Sequence, residues 1–234
     1  MKSSAIVMVT TGQPDYLEIC IPAWRQVAEI WRVELIVRQD VEMVLPDDES
    51  YNWRNFHKLA VSSYFDDFDS ILRVDADTLP APTAASPFLL PREFVWAYRE
   101  DRPGSSREQE RRREIALIQE HLGDLNWKTQ YFNSGVVLAR KAHEKAFSAS
   151  VPIHNIPGKF KEQNLFNWNL QSLAIPVADF GPRFNYMRIA PSAFPKSEVA
   201  IFHFAGPQGS KLKEMKKVHK QIWVDSSKKR LRYF

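Results

Sequence analysis

Two aspartates, two residues apart, are the first side chains whose type and spacing suggest chemistry. Asp75 and Asp77 follow the mostly apolar run of residues 71–74. Such a run predicts a buried strand, and ligands of open α/β sheets bind beyond the carboxyl ends of strands. Two carboxylates at that position could bind a hard divalent cation. The cation could neutralise a diphosphate and stabilise it as a leaving group.

The aspartate spacing allows other interpretations. Asp67-Phe68-Asp69 repeats it, and only Asp75 and Asp77 follow an apolar run. In the simplest alternative, the aspartates cap backbone N–H groups of a local turn. A second alternative is a haloacid-dehalogenase-type phosphatase, with Asp75 as the phosphorylated nucleophile and Asp77 as the acid/base. That class requires a later acidic pair for magnesium, and Gly123-Asp124 is the only Gly-Asp pair in the chain.

Polar residues also interrupt three later segments. Asn133-Ser134-Gly135 lies within the apolar run 131–139, where a glycine indicates either a bulge or a close approach of backbone or ligand. Glu162-Gln163 opens a predicted helix and could face a ligand or complement the helix dipole. His203 lies in the apolar run 199–204. A histidine in such a strand is usually a core residue, and it becomes a metal ligand only if the fold brings it to the two aspartates.

Strands and helices must alternate to position these residues. The alternation predicts an α/β fold with a mostly parallel sheet that has helices on both faces. The predicted strands are residues 5–9, 33–37, 71–74, 94–98, 131–139 and 199–204. Five predicted helices lie within residues 16–31, 53–64, 141–149, 161–173 and 210–224. In the first of these, Pro22 either opens or kinks the helix. A sixth helix is predicted to start at a capping box, at Ser105 or Ser106, and to end at Gly123.

Composition is that of a globular protein. Of the 234 residues, 44% are hydrophobic and 26% are charged, which excludes wholesale disorder. Cys20 is the only cysteine, so no intramolecular disulfide forms and a reducing compartment is allowed. The apolar run 5–9 is too short for a signal-peptide core or a membrane span. We therefore expect a protein that is cytoplasmic or peripheral to a membrane.

Charge is unevenly distributed. Residues 211–234 contain nine Lys or Arg and two acids, although the whole chain carries only +4. We expect one domain over residues 1–210 and a basic helix or tail over 211–234, packed on the domain or extending from it. The tail either forms a solvated helix or contacts an anionic surface. No specific nucleic-acid partner is expected. Residues 99–114, with six Arg and five acids, predict an exposed helix with i,i+4 ion pairs.

In their order along the chain, the motifs resemble the glycogenin-like, family 8 type glycosyltransferases, which have the GT-A fold. The matching pieces span Val9 to Lys211, most of the chain. They are Val9-Thr10-Thr11 followed by Tyr16, His57-Lys58-Leu59, Asp75-Ala76-Asp77-Thr78-Leu79, Phe132-Asn133-Ser134-Gly135-Val136, Glu162-Gln163 and His203-Phe204-Ala205-Gly206.

The resemblance implies a UDP-sugar donor and a metal cofactor. Asp75, Asp77 and His203 would bind Mn²⁺, with Mg²⁺ as an alternative. Tyr16 would stack on uracil. The implied catalytic residues are Lys58, Glu162 and Gln163, with Gln163 near the anomeric carbon. The implied donor-binding residues are Thr10, Thr11, Tyr16, Lys58, Ala76, Asn133, Ser134, Glu162, Gln163, Gly206 and Lys211.

Several positions depart from the family pattern. Glu162 replaces the usual Asp and is longer by one methylene, and Lys211 follows Gly206 by five residues in place of three. The stretch 78–132 is longer than in glycogenin, through segment 99–114, which could face the acceptor. The resemblance thus implies a metal-dependent transfer of a hexose or deoxyhexose from a UDP-sugar to a hydroxyl of a glycan, glycolipid or protein.

Two questions stay open at this point. The family retains the configuration at the anomeric carbon, but GT-A relatives that invert it also use a D-x-D metal site. The phosphatase is one alternative to a glycosyltransferase. The other is a non-catalytic domain that binds a nucleotide sugar, or that binds a polyanion through the basic tail.

Overall fold

The protein contains a six-stranded sheet and a separate two-stranded sheet. A computed structural model describes residues 3–10, 12–39, 41, 43–48, 51–189, 193–206 and 208–224. The large sheet has the order β2-β1-β3-β6-β5-β7, and β4 pairs with β8. The strands are β1 Ser4–Thr10, β2 Glu34–Gln39, β3 Ser70–Asp75, β4 Thr78–Pro80, β5 Val95–Arg99, β6 Phe132–Arg140, β7 Val177–Asp179 and β8 Ile201–His203.

Strand direction explains where polar residues meet. β1 is parallel to β2 and β3, and β5 is parallel to β7, whereas β6 is antiparallel to both β3 and β5. The predicted mostly parallel sheet is therefore confirmed. Because β6 runs in the opposite direction, its first residues lie beside the last residues of β3, and Val74 pairs with Val136. The Asn133-Ser134-Gly135 motif thus lies at the edge of the sheet where Asp75 ends β3.

Helices cover both faces of the large sheet, as predicted. The α-helices are α1 Leu17–Trp31, α2 Glu108–Leu122, α3 Lys161–Ser172, α4 Gly181–Phe184 and α5 Gln208–His219. α5 continues into a π-helix, Lys220–Val224. Five 3₁₀ helices complete the described part of the chain: Trp53–Asp66, Pro87–Leu89, Lys141–Phe147, Ile153–Asn155 and Lys196–Glu198. Pro22 lies inside α1 and so does not open it.

The predicted helix at residues 53–64 forms as a 3₁₀ helix, Trp53–Asp66, and apolar residues recur every three positions in its first half. Trp53, Phe56, Leu59 and Phe65 are all buried. A repeat of three residues per turn aligns these side chains on one face of a 3₁₀ helix, where residues i and i+3 eclipse. The predicted helix at 141–149 is likewise a 3₁₀ helix, Lys141–Phe147. The three-residue strands β4 and β7 were not predicted.

The start of α2 differs from the predicted capping box. Arg107 is the N-cap residue, and it makes no side-chain cap hydrogen bond. Ser105 Oγ instead donates to the carbonyl oxygen of Glu100 at 2.8 Å. Gly123 ends the helix, as predicted. The prediction that segment 99–114 is an exposed helix is wrong in part, because its buried members are Glu100, Asp101, Arg111 and Glu114.

Alternate residues of the sheet face two apolar clusters. Ile6, Leu72 and Val136 pack on one face with residues of α1, while Val7, Ile71 and Val137 pack on the other face with residues of α3. This alternation follows from the two-residue period of a strand. On the first face, Met215 of α5 is fully buried and Trp223 Nε1 donates to Pro80 O at 3.0 Å. None of the described helices combines the length and apolar character needed to cross a bilayer.

Candidate active site

Asp75, Asp77 and His203 form a cluster that could hold a metal ion. Asp75 ends β3, Asp77 lies in the turn to β4, and Thr78 of β4 pairs with His203 of β8. This pairing places the imidazole next to the aspartates. One ligand atom from each residue lies within 4.8 Å of the others, and His203 Nε2 is 3.3 Å from Asp77 Oδ1. The fold therefore brings His203 to the two aspartates, which is the arrangement that a metal-binding role for His203 requires.

A hydrogen-bond chain orients the imidazole. Asn185 Nδ2 donates to Asn133 Oδ1 at 2.9 Å, so Asn185 Oδ1 faces His203 Nδ1, also at 2.9 Å. Because an amide oxygen only accepts, Nδ1 carries the proton, and Nε2 is the ring atom that faces the aspartates. Metal-binding histidines are commonly oriented in this way through their other ring nitrogen. The carboxylate and imidazole ligand set fits a divalent metal ion.

Gly135 provides the space for the imidazole. A Cβ atom at this position would lie 2.2 Å from His203 Cε1 and 2.9 Å from His203 Nδ1. No side chain fits at such distances, so a residue other than glycine would displace the ring. The glycine in the predicted strand thus marks a close approach, as one of the two interpretations held, and the approaching group is the His203 side chain.

The turn that carries the aspartates is held by α1. Trp24 Nε1 donates to Thr78 Oγ1 at 3.0 Å, and Thr78 Oγ1 donates to the Asp75 carbonyl oxygen at 2.6 Å. Cys20 Sγ lies 3.0 Å from Ala76 O. Burial and then the charge of Asp77 raise the pKa of the Cys20 thiol to about 12, so this thiol remains a protonated donor.

Cationic side chains contact both aspartates. Lys58 Nζ is 3.0 Å from Asp75 Oδ2, and Lys211 Nζ is 2.6 Å from Asp77 Oδ2. Arg73, which is 1% exposed, forms an ion pair with Asp75. The alternative in which the aspartates cap a local turn is not supported, because these carboxylate contacts are to cationic side chains.

The ion pairs keep these groups charged. Burial by itself would raise the pKa of Asp77, but His203 and Lys211 outweigh it and the pKa is lowered. Burial opposes the charge of Lys58, yet Asp75 and Glu162 raise the pKa of its ammonium group. At neutral pH, therefore, Asp77 is a carboxylate and Lys58 is a cation.

Two cavities meet at the aspartates, and the structure brings all the described predicted site residues to one or both of them. The first cavity has a volume of about 510 Å³ and the second about 440 Å³. Both are lined by Lys58, Asp75, Asp77 and Lys211. The first is also lined by Asn133, Ser134, Glu162, Gln163, His203 and Gly206. The second is also lined by Thr10, Tyr16 and Ala76. Thr11 lies outside the described residues.

Hydrogen bonds fix the polar side chains of the first cavity. Ser134 Oγ donates to Glu162 Oε2 at 2.9 Å. Gln163 Oε1 accepts from Asn133 Nδ2 at 3.1 Å and from the Ser134 backbone N–H at 3.2 Å. Gln163 Nε2 donates to Glu100 Oε2 at 3.3 Å. Both ends of the Gln163 amide are therefore held, and Glu100 adds a buried carboxylate that sequence analysis did not select.

The second cavity has an aromatic wall at Tyr16. Burial, followed by the charge of Asp77, raises the pKa of the Tyr16 hydroxyl to about 12. The side chain is consequently a neutral phenol across the physiological range. Its partly buried ring can offer an aromatic surface to a flat ligand.

Sequence reasoning missed several residues of the site. Glu100, Arg107 and Arg111 belong to the charged segment 99–114 and line the first cavity. The high density of charge in this segment is the sequence feature that could have identified them. An arginine inside an apolar strand could have identified Arg73 as a buried ion-pair partner. Asn185 carries no such signal. The remaining missed residues that line the first cavity are Tyr51, Asn55, Phe160, Met187, Arg188, Ile189 and Ala205.

Comparison with solved structures identifies the fold as the GT-A type of glycosyltransferases. A glycosyltransferase involved in glycosylation of the PBCV-1 major capsid matches with a TM-score of 0.59 and 12% identity, covering 92% of this chain and 99% of that chain. The galactosyltransferase LgtC, in complex with donor and acceptor sugar analogs, matches with a TM-score of 0.56 and 13% identity, covering 94% and 96% of the respective chains.

A third match is the bifunctional glycosyltransferase WbbM, with a TM-score of 0.52 and 14% identity. It covers 88% of this chain but only 46% of WbbM. No protein-family model matches the sequence, and a search of curated proteins finds no match. At these identities the structural likeness establishes the fold, and the chemistry must be argued from the site.

Proposed function

We propose that this protein is a metal-dependent glycosyltransferase that moves a hexose or deoxyhexose from a UDP-sugar to an acceptor hydroxyl. The observation that carries the proposal is the position of Asp75, Asp77 and His203, where two cavities of the GT-A fold meet. One cavity suits the nucleotide and the other suits the transferred sugar. The complex of LgtC with donor and acceptor sugar analogs supports the proposal by analogy.

The nucleotide would occupy the second cavity. Tyr16 would stack on uracil, because aromatic side chains bind the faces of bases. Thr10 and Ala76 line the same cavity and would contact the nucleotide, together with Thr11. The diphosphate would then lie at the aspartates, where the two cavities meet.

A bound Mn²⁺, or Mg²⁺, would neutralise negative charge on the departing diphosphate. The ligands would be Asp75, Asp77 and His203. Lys58 and Lys211, which now contact the two aspartates, would add positive charge beside the leaving group. Electrostatic stabilisation of this kind is usually the largest contribution to catalysis. Gly206, with a backbone φ of 125°, would let the chain between β8 and α5 turn towards the donor.

The transferred sugar would occupy the first cavity. Asn133, Ser134 and Glu162 would bind its hydroxyl groups, and Gln163 would lie near the anomeric carbon. A structure of LgtC in which an active-site glutamine is replaced by glutamate supports a role for a glutamine in that protein. We propose that Gln163 has the corresponding role here, and that the anomeric configuration is retained.

The acceptor would be a glycan, a glycolipid or a protein. Residues 1–210 would form the catalytic domain, and residues 211–234, of which 225–234 lie outside the described residues, would form a basic helix and tail that can contact an anionic surface. We propose a location in the cytoplasm or at the periphery of a membrane. No specific nucleic-acid partner is proposed.

Asp124, the acid that the phosphatase alternative would use, does not lie at the candidate site. Asp124 is exposed, and its Oδ1 accepts a hydrogen bond from the Asn126 backbone N–H at 2.7 Å. It lines neither of the two cavities. In addition, the carboxylate of Asp75 is paired with Lys58 and Arg73, which reduces its reactivity as a nucleophile.

UDP release from a panel of UDP-sugars, without any acceptor, tests the proposal. We expect release from one sugar with Mn²⁺ and none with EDTA. Asp77→Asn should abolish release, while the matched control Asp124→Asn should preserve it. Failure to release UDP from any sugar, combined with no metal-dependent UDP binding by calorimetry, would contradict the proposal. UDP binding without turnover would favour the non-catalytic alternative, and hydrolysis of a generic phosphomonoester would favour the phosphatase.

A further inference from the structure

Three arginines line the first cavity and not the second. Arg107, Arg111 and Arg188 take this position. The side chains of Arg107 and Arg188 are 40% and 55% exposed, so both can reach a ligand that enters from solvent. Phe160 and Met187 line the same cavity and provide apolar surface beside the arginines. We name this part of the first cavity the arginine end.

The acids that line the first cavity already have cationic partners. Asp75 pairs with Lys58, and Asp77 pairs with Lys211. Of the two remaining acids, Glu100 contacts Arg111, and Glu162 lies 3.6 Å from Lys58 and 3.9 Å from Arg73. Each of these four carboxylates thus has a cationic partner among Lys58, Lys211, Arg73 and Arg111.

Arg107 and Arg188 have their acidic partners outside the cavity. Arg107 Nη1 is 2.5 Å from Glu110 Oε2, and Arg188 Nη2 is 2.5 Å from Glu214 Oε1. Neither glutamate lines the first cavity. Exposed pairs of this type are weak because water screens them, so an acid on a ligand can replace Glu110 or Glu214 in these two pairs. The arginine end therefore presents positive charge to the cavity.

Arg111 is the buried member of the arginine end and adds to its positive charge. It is 3% exposed and stacks on Phe160, with the guanidinium carbon 4.0 Å from the ring centre. Its Nη1 makes no hydrogen bond among the described residues, and the carboxylate of Glu110 lies 3.9 Å away. The hydrogen bond with Glu100 is made by another nitrogen of the guanidinium, so Arg111 Nη1 has no hydrogen-bonding partner in the described part of the chain.

We propose that the acceptor carries an acidic group, a carboxylate or a phosphate, which Arg107 and Arg188 bind. The inference rests on the proposed function, since it assigns the rest of the cavity to the donor sugar. Guanidinium groups bind both kinds of acid through paired, charge-assisted hydrogen bonds. The donor diphosphate is the other candidate for these arginines, but it would lie at the aspartates, where the cationic partners are Lys58, Arg73 and Lys211.

Binding of matched neutral and acidic sugars tests the inference. The full chain, with UDP and Mn²⁺, would be titrated with methyl glucoside against methyl glucuronide, and with glucose against glucose 6-phosphate, using saturation-transfer NMR. We expect at least one acidic sugar to bind about tenfold more tightly than its neutral partner. The preference should decrease as salt concentration rises. The two pairs separate carboxylate from phosphate recognition.

Substitutions test whether Arg107 and Arg188 cause the preference for acidic sugars. Arg107→Ala and Arg188→Ala should each remove most of it, and Arg107→Lys should keep part of it because the charge remains. The matched control is Arg112→Ala. Arg112 lies on the same helix with a side chain that is 52% exposed and paired with Glu108, and it does not line the first cavity. This control should keep both the preference and UDP release.

Three outcomes would overturn the inference. The first is equal binding of neutral and acidic sugars by the wild-type protein, and the second is a preference that survives in both alanine variants. In the third, the alanine variants bind the UDP-sugar more weakly than the wild type does, which would place these arginines at the donor. Because sugar binding is measured without turnover, the two proposals fail separately. A protein that prefers acidic sugars but neither releases UDP from any UDP-sugar nor binds UDP in a metal-dependent way would contradict the proposed function.

Discussion

The aspartate cluster and the arginine end lie in the same cavity but are built differently. Asp75, Asp77 and His203 lie at or directly beyond strand ends, and their side chains are largely buried. Arg107 precedes α2, Arg188 follows α4, and both are substantially exposed. Strand ends offer a rigid frame, which catalytic geometry requires. Segments between the strands can change without disturbing that frame, so they suit selection of the acceptor.

The largest expected effect separates the two regions most clearly. Asp77→Asn keeps the shape of the side chain but removes the charge that a metal ion requires. We expect UDP release to fall by about a hundredfold or more, with an unchanged circular dichroism spectrum. Asp75→Ala should lose turnover to a similar degree. Full activity in either variant would exclude a metal role for that residue.

Gly135→Ala tests whether the aspartate cluster is as rigid as its packing implies. The new Cβ would overlap His203 Cε1, at 2.2 Å. We expect loss of Mn²⁺ binding by calorimetry and a lower melting temperature. The double variant Gly135→Ala/His203→Ala should recover part of the stability, because the overlap with the imidazole is gone while Asn133 Oδ1 stays 2.9 Å from the new Cβ. It should not recover metal affinity. A single variant with normal stability and normal metal affinity would show that the cluster adapts more than the structure implies.

Asn185→Ala should have a smaller effect on the same cluster. The variant loses the acceptor for His203 Nδ1, so the imidazole is no longer held in one orientation. Loss of such a partner typically weakens metal binding 10- to 100-fold. Asn185→Asp retains an acceptor and should lie between the wild type and the alanine variant. Equal Mn²⁺ dissociation constants in all three proteins would show that Asn185 does not orient the ligand.

Tyr16 gives the smallest expected change. Tyr16→Ala should weaken UDP binding by about tenfold, through loss of base stacking. Tyr16→Phe retains the ring, so its UDP affinity should stay within about twofold of the wild type. If the phenylalanine variant binds as poorly as the alanine variant, the hydroxyl and not the ring provides the contact.

Features with local causes could be predicted from the sequence. The apolar runs gave six of the eight strands, and the aspartates were placed correctly because they follow one of those runs. Strands β4 and β7, each three residues long, are too short to produce a pattern. The 3₁₀ form of Trp53–Asp66 was missed because a repeat of three residues resembles the 3.6-residue repeat of an α-helix over short stretches.

Features that depend on tertiary contacts could not be predicted. The hydrogen bond from His203 to Asn185 joins residues 18 positions apart, and Asn185 meets Asn133 across 52 positions. Only the folded chain makes these neighbours. The charge of segment 99–114 was visible, but its partition into buried Glu100 and Arg111 and exposed Arg112 depends on how α2 packs.

The ion pairs at the aspartates bear on how this protein would respond to its surroundings. Lys58, Arg73 and Lys211 compensate Asp75 and Asp77 without any metal, whereas a zinc finger needs its ion in order to fold. With the proposed function, the chain would therefore be able to fold and accumulate before its metal ion is bound. Activity would then follow the cellular supply of the ion, rising and falling without any loss of protein.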